Sequence, residues 1–149
     1  MEQVNKEKRV PELVGSTSVG AGYGPRQGWV DPDRGIFYVL NQMEPIVSVF
    51  KINEETGDLR LQSEAKIRTE GDAFSKRFEE ASKKGELTRA DGKIHESRIE
   101  MTPDSRLLFV SSRGVGAVTG FKVNQENGDL SDPWVSLQRG PGATQATSP

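Results

Sequence analysis

The chain has 149 residues, 33% apolar and 28% charged, with 16 glycines and a formal net charge of −2. That is the length of one ordinary domain, and its charge is too near neutral to draw it to nucleic acid by bulk attraction. It has no cysteine and a single histidine, His95, which excludes disulfides, thiolate chemistry and a multi-histidine metal site, and no apolar run of about 18 residues is present to span a membrane.

Met1 to Arg9 is charged and has no apolar stretch behind it, so it does not read as a secretory signal; a cytoplasmic location is the expectation. Residues 1–23 read as a tail and the outer strand of a preceding unit, with Gly15–Gly24 rich in Gly and Ser. Residues 24–69 read as a first antiparallel unit. Arg26–Val30 is predicted as a short strand, and Pro32-Asp33-Arg34-Gly35 as the turn that reverses it. Ile36–Asn41 is apolar at nearly every position, which predicts a strand buried on both faces. Ile46–Ile52 is rich in β-branched residues, and the Glu54–Asp58 loop carries Gly57 where a positive φ is needed. Leu59–Lys66 is a fourth, more polar strand.

Residues 70–94 form a charged insertion. Asp72 suits an N-cap, Phe74, Phe78 and Ala81 make a narrow apolar stripe, and Gly85 suits the position after the last turn. A short surface helix over Ala73–Lys84 is expected, its charges solvated. Residues 95–138 form the second unit, with strands near Ser97–Met101, Leu107–Ser112, Ala117–Val123 and Trp134–Gln138. Residues 139–149 read as a tail.

The two units are one repeat at an offset of 71. Pro32 falls on Pro103, Phe50 on Phe121 and Gly57 on Gly128, and the turn residues match as well as the apolar ones. Repeated four-stranded meanders are the mark of propeller blades. The predicted fold class is therefore all-β: a partial β-propeller of about two four-stranded antiparallel blades with one short helical insertion. Two blades standing alone would leave apolar faces open, so self-association through those faces is expected. A fragment of a longer product and a partly ordered remnant are the other outcomes the length allows.

Several strings carry a resemblance to a known family. Gly20-Ala21-Gly22-Tyr23-Gly24-Pro25-Arg26, then Pro32-Asp33, Tyr38-Val39-Leu40-Asn41 and Val47-Ser48-Val49-Phe50, resemble the lactonase family of seven-bladed β-propellers, which includes 6-phosphogluconolactonases and fungal carboxy-cis,cis-muconate cyclases. Pro103 to Val110 followed by Ser111-Ser112-Arg113-Gly114 resembles it again. The likeness runs from about Gly20 to Leu130. It implies hydrolysis of a sugar lactone, or the related cycloisomerisation, on a small anionic lactone or carboxylate. The residues themselves suggest no metal cage, and no cofactor is expected. Arg26 and Arg113 match family arginines by motif, and a guanidinium suits an anionic substrate. An ion pair between neighbouring blades is the other use for each.

The departures from the family pattern bear on activity. Gln27 stands where the family commonly has His, and Gln42 where it commonly has a Glu suited to acid/base work. An amide has no titratable proton near neutral pH, so neither can serve as the general acid or base. His95 and Glu96 enter the second blade's innermost strand and are the candidates to substitute. The simpler expectation is a surface-loop histidine and, for Glu44, Glu96 and Glu100, solvated carboxylates. Arg26, Arg113, Gln27, Gln42 and His95 are thus the candidate substrate-binding residues, with the catalytic group unknown and turnover weak or absent. A non-catalytic binding module is the rival reading. A phosphate-cradling Gly-Lys-Ser/Thr loop is missing, and Gly20–Gly24 leads through Pro25 into a strand rather than the helix of a dinucleotide site.

Overall fold

The computed structural model describes residues 2–5, 10–67, 76, 79, 80, 83, 84, 95–113 and 116–137. Its ten strands are β1 (Glu2–Asn5), β2 (Val10–Leu13), β3 (Pro25–Asp31), β4 (Ile36–Asn41), β5 (Ile46–Ile52), β6 (Leu59–Lys66), β7 (His95–Met101), β8 (Leu107–Arg113), β9 (Ala117–Val123) and β10 (Leu130–Leu137). β1 and β2 form an antiparallel pair. β3-β4-β5-β6 and β7-β8-β9-β10 are four-stranded meanders in sequence order. Neither tail beyond these residues nor most of Ala73–Lys84 lies within the described residues; inside that span the Lys84 N–H donates to the Glu80 carbonyl at 3.1 Å.

The offset of 71 seen in the sequence is kept by the backbone. β5 maps onto β9 and β6 onto β10 residue for residue. The hairpin loops repeat bond for bond: Gly57 N–H donates to Asn53 O at 2.7 Å and Gly128 N–H to Asn124 O at 2.8 Å. Both glycines have positive φ, 78° and 79°, the conformation that glycine adopts without strain. β10 begins four residues before the expected Trp134. Asp132 and Pro133 look like breakers but sit in a bulge between Ser131 and Trp134, with φ of 49° at Asp132, so the strand runs through them.

The core lies between the two meanders. Tyr38, Leu40, Val47 and Val49 of the first sheet meet Ile99, Leu108, Val110 and Phe121 of the second. Successive strand residues face opposite sides, so each sheet gives alternate positions to this layer. Fully burying one such side chain stabilises by about 1.5–3 kcal/mol. Polar bonds tie the outer rim of the same interface. Tyr38 Oη donates to Gly128 O at 2.6 Å, and Arg34, ion-paired with Asp31, donates to both oxygens of Gln125. Gln62 and Ser63 donate to Asp129. The far side of the second sheet carries Phe109 packed edge-on to Trp134, which is 41% exposed.

Candidate functional site

β3 and β7 are edge strands of their sheets and lie against one another. Each carries a bulge at the same repeat position, between Pro25 and Gln27 in β3 and between Glu96 and Arg98 in β7. A bulge leaves one residue unpaired and re-aims the side chains beside it. The residues so released are Arg26 and Ser97, and they meet: Arg26 Nε donates to Ser97 O at 3.0 Å. Gln27 Oε1 accepts from Ile99 N–H at 2.9 Å. An open cleft of about 510 Å³ at this seam is lined by Arg26, Gln27, Ser97 and Arg98.

The other expected residues sit at the same end of the sheets. Gln42 follows β4; its N–H donates to Gly24 O at 2.7 Å and its carbonyl accepts from Glu96 N–H at 3.1 Å. His95 opens β7 as the register partner of Arg113. Arg113 is exposed at the end of β8 and is not among the side chains that line the cleft. The structure thus brings Arg26 and Gln27 into one cleft, fastens Gln42 beside it through its backbone, and leaves Arg113 out of that cleft's described lining. Among the described residues, the inter-blade contact of Arg26 ends on a main-chain carbonyl.

Glu96 corrects an expectation. It is 1% exposed, not solvated, and accepts from Ser112 Oγ at 2.5 Å. The repeat explains why. The register pair Pro25–Asn41 of the first sheet becomes Glu96–Ser112 in the second. Asn41 fills its own corner, donating from Nδ2 to Ile46 O at 2.9 Å and Ser48 Oγ at 3.1 Å. The shorter Ser112 leaves room for the carboxylate of its cross-strand neighbour. Thr119, the counterpart of Ser48, then has a buried Oγ1 without a hydrogen-bond partner among the described residues, as has Asn41 Oδ1. Glu44 and Glu100 are exposed as expected.

Sequence reasoning did not single out Ser97 and Arg98. A signal was present, since they lie 71 residues after Arg26 and Gln27. A second, more apolar cavity of about 410 Å³ lies on the far side of the first sheet, under the segment holding Ser16, Thr17 and Val19, and reaches Phe37 and Phe50. Arg26 and Gln27 line this space too, so they stand between both openings. Among the described residues no three His, Asp or Glu side chains stand together to hold a metal ion, and no helix is long and apolar enough to cross a membrane.

Successive four-stranded meanders, stacked face to face with their first strands lining a cleft, are blades of a β-propeller. The chain belongs to the lactonase family of seven-bladed β-propellers, whose profile, described as "Lactonase, 7-bladed beta-propeller", matches residues 3–134. It is 27% identical over 111 residues to a 6-phosphogluconolactonase of Pectobacterium carotovorum subsp. carotovorum (strain PC1), a match covering 74% of this chain and 28% of that protein. A solved protein from Lactobacillus plantarum superposes with a TM-score of 0.67 at 17% identity, covering 93% of this chain and 33% of the other. The periplasmic gluconolactonase of Pseudomonas aeruginosa gives 0.59 at 21% identity, covering 79% and 28%. The chain therefore spans about a third or less of the length of these relatives, which agrees with two blades.

Proposed function

We propose that the cleft between β3 and β7 binds a small anionic lactone or carboxylate, and that its chemistry is hydrolysis of a sugar lactone of the 6-phosphogluconolactonase kind, weak or absent in these 149 residues alone. The observation that carries this reading is the lining of the cleft: among the described residues it is Arg26, Gln27, Ser97 and Arg98, which present two positive charges and further donors. Such groups bind an anion and stabilise the oxyanion that forms when water attacks a lactone carbonyl. Hydrolysis also needs a group that takes a proton from that water. Gln27 and Gln42 cannot do so, and the Glu96 carboxylate is buried against Ser112. The Pectobacterium relative favours the lactone over carboxy-muconate cycloisomerisation. On the same reading the partner is a small molecule rather than nucleic acid or membrane, the compartment is the cytosol, and the Phe109–Trp134 face is where copies self-associate.

The second reading is a binding module without turnover, and the two glutamines are what favour it. The test is to assay lactone hydrolysis by the chain and by the Gln27→His, Gln42→Glu double variant. Turnover that arises only in the variant identifies an enzyme that has lost its proton-transfer groups. Silence in both, with ligand binding intact, identifies the binding module. Vigorous hydrolysis by the unaltered chain, abolished by Arg26→Ala, would overturn the claim that turnover here is weak.

A further inference from the structure

We propose that copies of this chain stack head to tail: the outer face of the second sheet, around Phe109 and Trp134, docks on the outer face of the first sheet of another copy, around Val30 and Phe37. This rests on the self-association reading above and adds to it the receiving face and a direction. The repeat fixes the occupant. Inside the chain, Tyr38 and Val49 of the first sheet share a core with Met101, Leu108 and Phe121 of the second. Seventy-one residues after the first two stand Phe109 and Gly120; seventy-one before the other three stand Val30, Phe37 and Phe50. Successive strand residues face opposite sides, so these five point away from the shared core, on the two outer faces. Those faces are the counterparts of two faces that already fit one another. A face whose complement is a different face makes a heterologous contact, not a two-fold one.

Both outer faces stay apolar through their substitutions. The register pair Val49–Ser63 of the first sheet becomes Gly120–Trp134 in the second. The indole lies over Gly120, where an added Cβ would collide with it, so one large ring takes the volume that Val49 fills in the first sheet. Trp134 is exposed where Val49 is fully buried. On the first sheet Phe37 lies over Gly28 in the same way. Val30 is 49% exposed, whereas its counterpart Met101 is 5% exposed within the core. The cavity of about 410 Å³ against Phe37, Val39 and Phe50 offers an apolar seat to an aromatic anchor, the kind of side chain that dominates interface energetics. The polar pins of the internal joint are not repeated. Phe109 lacks the hydroxyl of Tyr38, Ser105 stands at the position of Arg34, and Pro133 at that of Gln62. The joint between copies is therefore more purely apolar and weaker than the joint within one, and its population depends on concentration.

The experiment is sedimentation velocity on the full chain and on variants that each disable one face, with circular dichroism to confirm their fold. Trp134→Glu disables the docking face and Val30→Glu the receiving face. Val118→Glu, on the same side of the second sheet as Trp134, repeats the first arm if Trp134→Glu folds poorly. The unaltered chain is expected to grow past a dimer as concentration rises. A carboxylate buried in an apolar joint should weaken the contact about a hundredfold or more, so each variant alone stays monomeric where the unaltered chain assembles. An equal mixture of Trp134→Glu and Val30→Glu should form a dimer of one chain of each and nothing larger, because the first keeps its receiving face and the second its docking face. Three results overturn the direction while leaving self-association in place: an unaltered chain that stops at a dimer, a Val30→Glu variant that assembles as the unaltered chain does, or a mixture that stays monomeric. The second of these means that the Trp134 face meets itself across a two-fold axis. An unaltered chain that is monomeric at every concentration overturns the self-association reading as well.

Discussion

Tyr38→Phe isolates one bond of the blade interface. Tyr38 is 0% exposed, and its hydroxyl reaches from the second strand of one blade to the Gly128 carbonyl in a hairpin loop of the next, at 2.6 Å. The substitution keeps the ring and removes the donor. A hydrogen bond of this kind contributes about 1 kcal/mol net, and a buried carbonyl left unpaired costs about 1–3 kcal/mol. The expected loss is about 2 kcal/mol, or about 4–8 °C in melting temperature for a chain of this size. A second signature separates this bond from mere loss of packing. Burial, then the charge of Asp31, push the Tyr38 hydroxyl well above the ordinary tyrosine value of 10.0. The folded chain therefore keeps a proton that the unfolded chain releases. Stability from this group is fully present below about pH 10 and falls as pH rises beyond it, by at most about 1.4 kcal/mol per pH unit. Urea unfolding of both proteins at neutral pH and in steps above about pH 9.5 tests it. The wild type should lose its advantage with rising pH while Tyr38→Phe shows a shallower decline. Equal stability at neutral pH, or parallel alkaline slopes, would refute the reasoning.

The same interface yields three further expectations. Gly128→Ala meets two obstacles, a φ of +79° and an added Cβ at 2.8 Å from Ile36 Cγ1, and should cost about 2 kcal/mol or more in urea unfolding. Arg34→Ala strips the partner from the Asp31 carboxylate, whose side chain is 1% exposed, and breaks two bonds to Gln125; a loss of about 3 kcal/mol is expected in the same assay. Glu96→Ala removes the acceptor of Ser112 and empties a buried corner. It should destabilise by about 2 kcal/mol, and Ser112→Asn in that background should recover part of the loss by rebuilding the first blade's arrangement.

The repeat was legible because turn chemistry and strand pattern agreed. Asn53 and Gly57, like Asn124 and Gly128, are residues the loop geometry needs, so the same loop had to recur. Both faces of Ile36–Asn41 are covered as its apolar run required. What escaped was decided by partners rather than by local pattern. Glu96 looks like a surface charge until Ser112 is set opposite it by the register. Arg98 looks like any strand arginine until the β7 bulge places it across from Gln27. The β1–β2 pair holds without a recognisable turn signal, and β10 begins early because a bulge absorbs Asp132 and Pro133.

Much of the grip between the blades ends on main chain. Arg26 holds Ser97 O, Gln27 takes Ile99 N–H, Tyr38 holds Gly128 O, Arg34 takes Gln125 O and Gln62 takes Asn127 O. A backbone atom is present whatever side chain stands above it. Each blade can thus read the shape of its neighbour without reading its sequence. Successive blades are then free to drift apart in composition while their stacking is kept, and a cleft residue such as the one at position 98 can change its charge without loosening the joint beside it.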